Sequence, residues 1–178
     1  MVANGAPSSL PSSSSSPLVL TRRLPSPPRE ADRPLLRLRL SADERTRLRG
    51  LRHSVCGHPL LLQLPRGEPL QPGEGLGEGQ GAAPLVVVEA AAEPLLLARA
   101  ADALTLLRAA YHLGNRHVAL EVRQGELRLL EDPVLADLLR QLGLELERRS
   151  LPFLPEAGAY AGGPEPHDHH HHGGGATP

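Results

Sequence analysis

The residues with the clearest chemistry in this sequence are its nine histidines, which fall into three groups. His167, His169, His170, His171 and His172 crowd into the string PHDHHHH near the C-terminus. His112 and His117 are spaced H-x4-H within the heptapeptide YHLGNRH. His53 and His58 flank the only cysteine, Cys56, as H-x2-C-x-H.

Neutral imidazole is a good ligand for nickel, copper and zinc, and several on one flexible segment adapt to any of them. The C-terminal cluster therefore chelates well and discriminates poorly. An engineered purification tag fits it badly, because only four histidines are consecutive, Asp168 interrupts the group and GGGATP follows. Nothing around it is apolar, which excludes a core role. A metal ligand must be neutral, so histidine-held metal is expected to be released as pH falls through about 6.5. The H-x4-H spacing is weak evidence taken alone. A histidine in the last turn of a helix is also favourable as a cation facing the helix dipole, and one at a strand start is commonly a surface hydrogen-bonding residue. The Cys56 group matches no common closed zinc pattern.

Positioning these residues requires elements, and the hydrophobic pattern supplies them unevenly. Residues 1–34 are Ser- and Pro-rich and residues 161–178 are Gly-, Pro- and His-rich, so both are expected to be disordered tails. Residues 35–92 read as a small β-rich domain. Leu36, Leu38 and Leu40 alternate with arginines at the period of a half-buried strand. Ser41 and Glu44 form a capping-box pattern. A strand over 47–55 turns at Gly57 and returns through Leu60–Leu64, residues 65–83 are loop, and Leu85–Val88 closes the module.

Residues 93–160 are more sharply patterned. A strand at 94–99 precedes Asp102, placed to cap a helix over 103–113 with Leu104, Leu107, Ala110 and Tyr111 on its apolar face. Gly114 is the expected left-handed residue that ends it. A strand then carries Val118, Leu120 and Val122 on one face and His117, Ala119 and Glu121 on the other, which presents His117 to solvent. Gln124-Gly125 turns into a strand at 126–130. Asp132-Pro133 starts a helix bearing Leu135, Leu138, Leu139 and Leu142, Gly143 ends it, and a last strand opens at Leu144. The order β-α-β-β-α-β predicts a ferredoxin-like domain, so the expected fold class is α+β. One face of its sheet is left free for other contacts.

Composition bounds the function classes. The chain has no Lys, Ile or Trp, a bias resembling that of a GC-rich genome, so its arginine excess needs no nucleic-acid explanation. Residues 1–55 hold ten arginines against four acids, a formal +6, while the rest holds nine against sixteen, −7. That basic arm lacks aromatic interleaving, which argues against a nucleic-acid site. A single cysteine excludes an internal disulfide framework, and no apolar run is long enough for a transmembrane helix. No phosphate loop, nucleophile elbow or HExxH motif is present, so no enzyme is expected. The Ser-rich, acid-poor start loosely suggests an organellar transit peptide, but a cytoplasmic protein with a disordered leader is the simpler expectation.

The string Tyr111–His117, the strand after it, the 132–143 helix, and Leu151-Pro152-Phe153 through Glu156-Ala157-Gly158-Ala159-Tyr160 resemble the signature of the urease accessory protein UreE family. The His-rich end fits the same family, and Leu38–Arg49 and Leu64-Pro65-Arg66-Gly67 fit it more loosely. The resemblance implies a homodimeric nickel metallochaperone that delivers Ni2+ to the apo-urease assembly complex through its accessory GTPase, with Zn2+ or Cu2+ as competitors. It implies a partner-binding N-terminal domain, and it makes His117 the key ligand, meeting its counterpart across a two-fold axis. His112 and the tail histidines are supporting candidates. Some relatives carry further histidines where this chain has Leu130, Glu131, Asp132 and Pro133, which puts a secondary site there in doubt. The alternative function is a His-rich nickel or zinc store.

Overall fold

The computed structural model describes residues 16–24, 36–79 and 85–157. The candidate ligands His167, His169, His170, His171 and His172, and Tyr160, lie outside the described residues.

Among the described residues the N-terminal part is built from seven strands and one short helix. These are β1 (Leu18–Leu20), β2 (Arg22–Leu24), β3 (Leu36–Leu40), α1 (Ala42–Thr46), β4 (Arg49–His53), β5 (Pro59–Gln63), β6 (Gly75–Gly77) and β7 (Val86–Ala90). They form a three-stranded sheet in the order β1-β5-β4 and a four-stranded sheet in the order β2-β6-β7-β3. Both sheets put alternate leucines and valines into one core that includes Leu20, Leu38, Leu60, Leu62, Leu76 and Val86. The capping box forms as expected: the Glu44 N–H donates to Ser41 Oγ at 3.2 Å and the Ser41 N–H donates to the Glu44 carboxylate at 2.9 Å. Two expectations from the sequence, a disordered leader over 1–34 and a loop over 65–83, are corrected in part by strand pairing. Strands β1 and β2 fall within the Ser/Pro-rich leader, and β6 falls within the segment read as loop.

The C-terminal part runs β8 (Ala92–Arg99), α2 (Ala103–Gly114), β9 (Glu121–Arg123), β10 (Glu126–Leu130), α3 (Pro133–Gln141) and β11 (Glu145–Pro152). Its sheet order is β11-β8-β10-β9 with every neighbour antiparallel. That is the split β-α-β-β-α-β arrangement of a ferredoxin-like fold. Both helices cover one face of this sheet, over Leu96, Ala98, Ala109, Leu113, Leu127, Leu129 and Leu139. The fold is therefore α+β, with a β-rich N-terminal part and a C-terminal αβ part.

The opposite sheet face is divided. One end is covered by Phe153, the only phenylalanine, which packs with Leu95 and Leu97 and against Ala42 of α1. Buried Arg45 fastens this junction, donating to the Leu70 carbonyl at 3.3 Å and the Phe153 carbonyl at 2.5 Å. The other end carries ions. Arg123, Glu121, Arg128, Glu126, Arg99, Glu147 and Arg149 alternate in sign across all four strands, each paired with the next. The face read from sequence as free is thus half covered and half charged.

Candidate metal centre

The candidate centre is a turn, and its geometry follows from how α2 stops. Asp102 caps the helix start, its carboxylate accepting from the Thr105 N–H at 2.9 Å. At the other end the His117 N–H donates to the Gly114 carbonyl at 2.9 Å and the Val118 N–H donates to the Leu113 carbonyl at 3.2 Å. His117 has φ 55°. These bonds and the left-handed residue between them make a Schellman motif in which His117 is the C′ residue. Leu113 is buried and Val118 packs against the same cluster, the apolar contact that accompanies the motif.

Two expectations are corrected here. Gly114 is the last residue of α2 and does not have a positive φ; the left-handed position is His117. His117 also does not begin a strand, because it ends the turn and β9 starts only at Glu121. Three extra residues of turn are accommodated because the second turn-closing carbonyl is Leu113, one residue before the glycine. His117 is exposed all the same, for a reason other than strand alternation. Glu121, expected on that exposed face, is buried, paired with Arg123 and Arg128, and accepts from the Leu154 N–H at 2.8 Å.

Helix α3 ends in the same way, and the comparison is informative. The Gly143 N–H donates to the Arg140 carbonyl at 2.9 Å, the Leu144 N–H donates to the Leu139 carbonyl at 3.0 Å, and Gly143 has φ 86°. One helix of the pair thus ends on glycine, which has no Cβ to clash in this region, and the other on histidine at the same motif position. A non-glycine residue there costs about 1 kcal/mol. Among the described residues His117 is the one non-glycine residue with positive φ. Backbone strain of this kind persists where the surrounding structure over-determines it, and it clusters at functional sites.

His112 lies in the last turn of α2 and is half-buried. Its ring meets the Tyr111 ring edge-to-face with centroids 5.6 Å apart, and its carbonyl accepts from Arg116 Nη1 at 2.9 Å. Among the described residues no group of three or more His, Cys, Asp or Glu side chains converges to hold an ion. His53, Cys56 and His58 are not brought into such a group either. The Cys56 thiol is instead held below its usual range by hydrogen bonds from Ser54 and from the His58 main chain. Among clefts of 650, 380 and 320 Å³, the last is lined by Arg116 of this turn, but none is lined by His112 or His117. The histidines therefore stand on an open surface, where any ion they bind needs donors from beyond this turn.

The surface beside them is apolar. On α2 the side chains of Leu104, Leu107 and Tyr111 are 55%, 66% and 67% exposed. The sequence pattern had placed these three on the core face. The buried face is instead Ala109 and Leu113, with Leu106 and Ala110 half-buried beside them. Leucine occurs on both sides of this helix, so periodicity alone did not fix which side meets the sheet. The exposed stripe was missed for that reason.

Comparison with known proteins agrees with the fold. A family model described as UreE urease accessory protein, C-terminal domain, matches residues 93–177. The urease accessory protein UreE of Parasynechococcus marenigrum is 53% identical over 152 residues, covering 85% of this chain and 96% of that protein. That of a Synechococcus strain is 57% identical over 72% of this chain and 73% of its own length. The Burkholderia ambifaria protein of the same name is 50% identical over 74% of this chain and 63% of its own length.

Proposed function

The chain belongs to the urease accessory protein UreE family, whose members serve urease maturation and are not enzymes, and from that premise we propose that it is a nickel metallochaperone. It takes up Ni2+ as cargo in the cytoplasm and passes it to the apo-urease assembly complex through the accessory GTPase. The observation that carries this reading is His117, an exposed imidazole kept at a strained C′ position where the twin helix end uses glycine. One monodentate imidazole holds a divalent ion weakly, but a two-fold axis doubles every ligand without new sequence. The apolar stripe Leu104, Leu107 and Tyr111 on the same helix supports a homodimer formed around that turn. His112 and the tail residues His167, His169, His170, His171 and His172 are the supporting donors, with Zn2+ and Cu2+ as competitors. In this reading residues 35–92, together with β1 and β2, recruit partners, 93–160 hold the metal and 161–178 collect it.

Delivery requires a site that is selective yet exchangeable, and an open ligand set at an interface suits that better than a closed cage. The five clustered tail histidines favour a second reading, metal storage. Nickel titration of the intact, His117→Ala and 164–178-deleted proteins, with mass measured alongside, separates the two. Delivery predicts that one tight ion per dimer survives loss of the tail and is abolished by His117→Ala. Near-total loss of nickel on tail deletion identifies a store.

A further inference from the structure

We propose that the arginine-lined cleft beside β4 is a docking site for an extended acidic segment of a protein partner, a proposal that rests on the partner-binding reading of the β-rich part. The cleft measures 380 Å³ and is lined by Arg47, Arg49 and Arg66, together with Leu48, Leu64 and Thr46. Leu48 and Leu64 are buried, so the cationic side chains stand over an apolar floor.

Of the three arginines in this cleft, Arg47 is ion-paired and, among the described residues, Arg49 and Arg66 are not. Arg37 and Arg39 pair with Glu89, Arg23 with Glu74, and Arg47 with Asp43. Arg49 and Arg66 have no carboxylate within 4.0 Å among the described residues, although both are exposed and share one concavity. Two unneutralised guanidinium groups in a concave surface raise the local potential and offer planar forks that match carboxylates two bonds at a time.

The backbone beside the cleft is also open. β4 is the outer strand of the order β1-β5-β4; just past its end the Val55 N–H donates to the Arg37 carbonyl of β3 at 2.8 Å, but over Arg49–His53 its far edge has no strand paired with it among the described residues. Only the Leu51 carbonyl is occupied there by a side chain, accepting from Arg52 Nη1 at 2.8 Å. An added strand satisfies such an edge through main-chain bonds while alternate side chains, about 7 Å apart on one face, provide specificity. Acids at alternate positions would then face Arg49 and Arg66. A nucleic acid is the poorer occupant, because the only Phe and both Tyr lie at 111, 153 and 160 and no aromatic lines the cleft to stack a base.

The test uses the full chain and fluorescence anisotropy with a labelled peptide of roughly eight residues alternating Glu and Thr. The intact protein is expected to bind it, and the Arg49→Glu/Arg66→Glu protein to bind at least about tenfold more weakly while acquiring affinity for the Lys–Thr counterpart. N-methylation of the peptide's alternate amides is expected to weaken binding, since it removes edge pairing. Undiminished binding by the double variant, failure of the intact protein to bind the acidic peptide, equal binding of the N-methylated peptide, or tighter binding of polyuridylate each overturns the proposal. Nickel titration of the same double variant is expected to match the intact protein, so loss of peptide with nickel retained is distinguishable from failure of the metal reading. His117→Ala, conversely, is expected to keep the peptide.

Discussion

His117 sits where glycine is the least strained choice, and the consequence is a measurable conflict between stability and binding. Replacing it by glycine removes the Cβ clash of the left-handed turn and keeps both Schellman hydrogen bonds, which depend on main-chain atoms only. His117→Gly is therefore expected to be more stable than His117→Ala by about 1 kcal/mol, seen as a higher midpoint in urea. Both are expected to lose the tight nickel ion equally. A glycine variant less stable than the alanine variant would contradict the strain argument. His112 has no such constraint, being half-buried at an ordinary helical position with its ring against Tyr111. At this scale the sequence predicted the exposure of His117, which the structure shows. It assigned the wrong backbone reason, because a glycine three residues earlier looked like the natural stop.

At the scale of elements the informative one is α2. Its buried side is small, Ala109 and Ala110 with Leu106 and Leu113, which lets the helix lie close to the sheet. Its other side leaves Leu104, Leu107 and Tyr111 in water in a single protomer. Exposed apolar residues at i, i+3 and i+7 share a face and mark a contact surface. Leu107→Glu is accordingly expected to halve the mass in solution and remove the tail-independent nickel site, while the folded protomer keeps its secondary structure. Light scattering reads the first effect and circular dichroism the last. An unchanged mass would overturn the proposed dimer contact. Helix α3 shows the contrasting case, since Ala136 and Leu139 are buried with Leu135, Leu138 and Leu142 packed around them, as its periodicity predicted.

At the scale of the molecule, the sheet face away from the helices does two jobs. Phe153, Leu95, Leu97 and Ala42 join the C-terminal sheet to the N-terminal part, with Arg45 bonded to carbonyls on both sides. The ionic ladder occupies the rest, and Glu121 and Glu126 are its buried rungs. Burial raises the Glu126 carboxyl, but hydrogen bonds from Arg128 and Arg99 outweigh that and hold it below its usual 4.5. A carboxyl whose folded value is lowered stabilises the fold above its unfolded value, and that contribution is lost as pH falls through the folded one. Glu126→Gln is expected to cost about 1–2 kcal/mol near neutrality, with the gap to the parent closing on acidification below pH 4.5. Thermal melts at pH 7 and pH 3 measure both. A gap of constant size across that range would show that the ladder's contribution is not electrostatic. Among the described residues there are three helices, and none is long and apolar enough to cross a membrane.

The amino-acid sequence by itself determined the order of elements in the C-terminal part, both helix starts, the hairpin at Gly125 and the exposure of His117. These follow from local rules: Asp102 and Asp132 cap helices through their own side chains, and strand alternation and turn glycines act within a few residues. Three things only the tertiary structure decided. Which face of α2 is buried depends on the sheet it meets, because leucine occupies both sides. Strands β1, β2 and β6, each three residues long, carry too little pattern to be read and exist by pairing with β5, β7 and each other. And the left-handed stop fell on His117 because the turn closes on the buried Leu113 carbonyl with Val118 packed against the core, a contact between the helix end and the sheet that no local preference for glycine encodes.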